Sequence, residues 1–88
     1  MTARKPGLAP GRHHEIGLEL ARMRDRLSEI SVEIMNAYPK RSTPYSLAYD
    51  AGDGLDALRC ELDSRFFAES PDATTDAYYP PRELRDAT

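Results

Sequence analysis

Between Ile16 and Ala37 the apolar residues recur at Ile16, Leu20, Met23, Leu27, Ile30, Ile34 and Ala37. The steps alternate between four and three, the rhythm of a helix that keeps one seam on one side. A strand would alternate at every second residue, and this stretch does not. The spacing predicts a helix over residues 12–38. Pro39 stops it, because proline restricts the residue before it and cannot continue the hydrogen-bond ladder. The helix start offers no side-chain cap, although Glu15 and Glu19 suit early turns whose free N–H groups favour negative charge. Gly17 inside the helix costs about 1 kcal/mol relative to alanine.

A second series, Leu47, Ala51, Leu55, Leu58, Leu62 and Phe66, keeps a helical spacing. "PKRSTP" (39–44) is the turn between the two series, with Thr43 as an N-cap and Pro44 as a first helical residue. Gly52 and Gly54 together weaken a continuous helix by about 2 kcal/mol. Residues 45–52 read either as the first turns of one long second helix or as a short helical or irregular segment; the glycines favour the latter, with a break near Gly52 and a main helix over 53–69 capped by Asp53. Arg59 with Asp63, Glu61 with Arg65, and Arg65 with Glu69 are four apart and should pair on its exposed sides. Ser70 and Pro71 end the pattern. Residues 70–88 form a tail without periodicity, whose Tyr78 and Tyr79 are large enough to anchor it across the helices.

The expected fold is all-α: a helical hairpin with disordered termini, one apolar stripe closing on the other. Such a closure leaves open flanks at Val32, Met35, Cys60 and Phe67. A chain of 88 residues buries only about 60–65% of its unfolded surface. Pairing into a four-helix bundle would supply what one hairpin lacks, so the expected state is a homodimer. The expected interface comprises Ile16, Leu20, Met23, Leu27, Ile30, Ile34 and Met35, then Tyr38, Tyr45 and Tyr49 around the turn, then Leu55, Leu58, Leu62, Phe66 and Phe67.

Charge changes this picture little. The chain carries 15 acids and 12 bases, a formal net charge of -3. Nucleic-acid affinity comes mostly from neutralising phosphates, so this balance argues against direct binding of DNA or RNA. The bases do gather early: Arg4, Lys5 and Arg12 fall in the first 14 residues without an acid. Residues 1–11, with Pro6, Gly7, Pro10 and Gly11, read as a flexible basic arm. A single cysteine excludes an intrachain disulfide framework and a thiolate metal cluster. There is no signal-like segment or apolar run of membrane-spanning length, which makes a cytoplasmic protein the default and a membrane partner unexpected.

Candidate chemistry is sparse. His13 and His14 are adjacent, so they diverge on a helix and do not grip one metal together. "HHE" has no downstream histidine to complete HExxH. The expectation is that the pair faces solvent or that His13 extends the stripe. Cys60 lies mid-helix between Arg59 and Glu61, with nothing to lower its pKa, and reads as a small buried packing residue. Glu19, Glu29, Glu33, Glu61 and Asp63 lack the Glu-x-x-His spacing of di-metal bundles. Arg22, Arg24 and Arg26 spread around their helix and suit protein contacts better than a DNA-reading face. Tyr38, Tyr45 and Tyr49 gather at the turn, where they either plug the end of a small core or, as rings dry on one side and wet on the other, meet another protein. No catalytic, cofactor-binding or metal-binding residue is expected.

These readings point to a non-enzymatic protein–protein interaction or assembly module. One alternative is an accessory of a transcription or DNA-handling system that uses the basic arm. Another is a small helical enzyme with a site between subunits, which would need buried polar groups that the stripes do not offer.

Overall fold

A computed structural model of the chain describes residues 5–86. It is all-α in those residues and hairpin-like. Helix α1 spans Pro10–Ala37, α2 spans Thr43–Glu69, a 3-10 turn covers Thr75–Ala77, and a short α3 covers Arg82–Asp86. Residues 1–4 of the expected basic arm and residues 87–88 of the tail lie outside the described residues. Lys5 to Ala9 are exposed and lack regular structure.

Pro10 opens α1 without a side-chain cap on Ala9. A proline at the first helical position loses nothing by lacking an N–H there. Tyr38 leaves the helix in an extended conformation, as a residue before proline should. The cap of α2 is Ser42, one residue before the expected Thr43: its Oγ accepts the Tyr45 N–H at 3.4 Å. The expected break near Gly52 does not occur, and α2 runs unbroken through both glycines. Helix propensity is a weak prior that packing overrides. Gly52 is buried, and the nearest side chain to the space beside it is the Arg24 guanidinium of α1. That guanidinium donates to both Asp56 carboxylate oxygens, at 2.8 and 3.2 Å, which ties the two helices together beside the glycine.

The two apolar stripes do not close squarely on one another. The buried residues of α1 are His13, Gly17 and Ala21. Those of α2 are Ala48, Gly52, Arg59 and Phe66. On a helix turning about 100° per residue, the α1 stripe lies roughly a quarter turn from its packed line. The packed line is small and polar because something else fills the joint. The tail crosses it, and a Cβ on Gly17 would sit 1.8 Å from the Ala77 carbonyl oxygen. The core is Phe66, Ala77 and Tyr78, with Ile16, Leu20, Leu62 and Ala73 packed around it. The stripes therefore meet only along their inner edges. The Cα trace forms a slab of 47 × 40 × 17 Å.

Cys60, expected inside, is exposed. It lies about 100° around the helix from its buried neighbour Arg59. Phe67 is exposed for the same reason. No helix among the described residues is long and apolar enough to cross a membrane.

Candidate functional site

Two features of the hairpin hold chemistry or surface beyond simple packing. The first is a buried polar joint at its open end. His13 is 2% exposed. Its Nδ1 lies 2.6 Å from the Tyr78 hydroxyl, and its Nε2 lies 3.4 Å from Glu69 Oε1. A carboxylate only accepts, so Nε2 carries a proton, and in the neutral ring Nδ1 then accepts from the phenol. The imidazole stacks on Phe66 at 4.5 Å and meets Tyr78 edge-on. Burial raises the Tyr78 pKa above its usual value, with the negative charges of Asp63 and Glu69 adding to the effect. Arg59, on the next turns of α2, donates from Nη2 to the Tyr78 carbonyl at 2.9 Å. Its guanidinium carbon lies 4.7 Å over the Tyr79 ring, a cation–π arrangement. These contacts fasten the tail to both helices, while Arg59 Nε and Asp63 Oδ1 are buried without a hydrogen-bond partner.

The residues singled out in the sequence go separate ways. His14 is exposed and meets Phe66 edge-on at 5.5 Å. Arg22 donates to the Leu84 and Arg85 carbonyls of α3. Arg24 holds Asp56, which raises its pKa further, and Arg26 pairs with Glu29 at 2.9 Å. Arg65 pairs with Glu61 at 2.9 Å, as the spacing predicts, whereas Arg59 turns to Asp56, 3.7 Å away. Among the described residues no group of three or more His, Cys, Asp or Glu side chains is placed to hold a metal ion.

The second feature is an uncovered apolar face. In both helices the apolar residues are reached from the packed line by turning the same way, viewed from each helix's own N-terminus. Equal turns on antiparallel helices lead to the same side of the hairpin. Leu20, Leu27, Ile34, Leu55 and Leu62 lie nearest the joint and are partly buried. Farther out, Met23 is 54% exposed, Ile30 36%, Leu47 61% and Leu58 46%. No charged residue interrupts this face between Leu20 and Ile34 or between Leu47 and Leu62. Helix α3 lies on the opposite side, where Arg85 reaches Asp25 at 3.4 Å, while Ala77 and Tyr78 sit against Ile16, Leu20 and Leu62 at the open end.

Not every expected interface residue shares that face. Phe66 belongs to the core. Met35 lines a groove of about 210 Å³ between the helices, with Arg24, Ser28, Ser31 and Tyr49. Tyr45 and Tyr49 border an open recess beside Lys40 and Ser46, and Tyr38 is exposed at the end of α1. The turn tyrosines thus surround shallow surface and do not plug a core. Leu47 joins the face although the expected interface omitted it. Its place four residues before Ala51 in the second stripe was the available signal. No protein-family model matches this chain, no curated protein sequence matches it, and no solved structure matches its fold.

Proposed function

We propose that this protein is a non-enzymatic interaction or assembly module whose docking surface is the apolar face of α1 and α2. The observation that carries this reading is the uncharged band around Met23, Ile30, Leu47 and Leu58, whose side chains are 36–61% exposed. Contiguous apolar patches of several hundred Å² are uncommon on monomeric proteins and mark binding surfaces. A four-helix bundle is the architecture that a helical occupant would complete. His13 and Tyr78 bind one another, and Arg59 Nη2 binds the Tyr78 carbonyl, in fastening the tail, which supports a binding role over a catalytic one.

The test is the particle size of the protein at native abundance in a cell lysate. The wild-type chain should run in a particle larger than one chain. A Met23→Lys, Leu58→Lys double variant should run as a single chain while keeping its helical circular dichroism. A wild-type protein at single-chain size, or a particle indifferent to both substitutions, removes the reading.

A further inference from the structure

We infer that the occupant of the apolar face is a second copy of this chain, packed face to face about a two-fold axis. The inference rests on the interaction reading above and supplies its partner.

The width of the face is the first argument. Exposure along each stripe rises with distance from the joint. Leu20, Leu27, Leu55 and Leu62, next to the joint, are already partly covered. Met23, Ile30, Leu47 and Leu58, at the outer margins, are the most open. A lone helix lying in the central furrow would cover what the hairpin already half covers and leave the margins wet. An occupant two helices wide covers both, and the hairpin is itself such a layer.

Area is the second argument. The uncharged band runs over residues 20–34 of α1 and 47–62 of α2, which at about 1.5 Å per residue and about 10 Å per helix width is roughly 23 by 20 Å, or about 450 Å². A specific, stable pair of proteins buries about 800 Å² on each partner. The band is about half of that, the share of an apolar interface centre, and the flanking turns of the same two helices supply the polar rim.

Charge is the third. Arg12 with Glu15, Arg26 with Glu29, and Glu61 with Arg65 are paired within their own helices on the outer sides. A copy laid on this face meets an uncharged centre, so the apolar contact itself buries no charge. A two-fold arrangement is also the commonest closed symmetry for identical chains, and it uses one patch on both partners. Helix α3 and Cys60 then lie on the outside of the pair.

The experiment uses the full chain in pure form. Sedimentation at low micromolar concentration should give twice the 9.9 kDa chain mass. Met23→Lys and Leu58→Lys, at positions exposed in the single chain, should each weaken pairing by at least about tenfold, equivalent to about 1.4 kcal/mol. Leu84→Lys, on exposed α3, should leave pairing unchanged. Spin labels on native Cys60 should lie farther apart than about 20 Å, two helix diameters. A single-chain mass, a dimer insensitive to Met23 and Leu58, or labels closer than that distance would each overturn self-pairing. A monomeric pure protein alongside a face-dependent particle in lysate would sink the second copy and spare the interaction reading. A lysate particle that ignores the face would sink both.

Discussion

The two sides of the hairpin differ in a way that runs against their composition. The side closed by the tail is built on the small and polar residues His13, Gly17, Ala21 and Arg59 around one large apolar ring, Phe66. The side left open carries the leucines, isoleucines and Met23 that sequence patterning marks as core. Apolar content decides which surface seeks cover, but the shape of the available partner decides which surface receives it. Gly17 has no side chain, so the tail's backbone can press against α1. Tyr78 brings a large ring and satisfies the imidazole beside it. Of the leucine side, only the end at Ile16, Leu20 and Leu62 meets the tail core; the rest stays open.

The sharpest way to break this contrast is to empty the closed side. Tyr78 is fully buried, and Tyr78→Ala removes both its ring and the partner of His13. A loss of about 3–5 kcal/mol is expected, read by denaturant melts. Leu58→Lys on the open side should leave the single chain's fold standing. Next comes Gly17→Ala, whose Cβ would meet the Ala77 carbonyl. It should cost about 1–3 kcal/mol and increase proteolysis around α3, although alanine is the better helix former.

A smaller effect concerns alkaline pH. The Tyr78 pKa is raised above 10.0 by burial and by nearby carboxylates, so the unfolded state gives up this proton first. Its share of stability is complete below about pH 10. It declines as pH climbs from there towards the folded-state value. Absorbance of tyrosinate should show one of the five tyrosines titrating late, together with unfolding. Simultaneous titration of all five would remove the buried joint. The mildest change is Gly54→Ala. Nothing lies within 4 Å of its missing Cβ, so the substitution should stabilise α2 by up to about 1 kcal/mol, visible as a higher melting midpoint.

Much of the scaffold was legible in the sequence. The four-and-three spacing from Ile16 to Ile34 located α1, and Pro39 located its end. The continuity of α2 was one of two readings that the spacing allowed, and the glycines tipped the choice the wrong way, because glycine propensity is local, whereas the Arg24–Asp56 tie that accompanies Gly52 spans 32 residues. The orientation of the stripes was hidden for a similar reason. Periodicity shows that Met23, Leu27 and Ile30 share a side, yet it cannot show that residues 77–78 wedge into the joint and turn that side away. Tyr78 was visible as an anchor for the tail, but its match to His13 was not, since nothing in a stretch without period signals a partner 65 positions earlier.

That last separation bears on the order in which the molecule can be finished. Residues 13 and 78 are strangers during most of synthesis, and the imidazole has no phenol to meet until the tail has emerged. Until then α1 and α2 can coil and lean together by nearby contacts, but the joint between them stays ajar. Contacts so distant along a chain form slowly. The fastening of the first helical turns is therefore among the last acts of folding, and a nascent or clipped chain would carry its leucine band without a settled frame behind it.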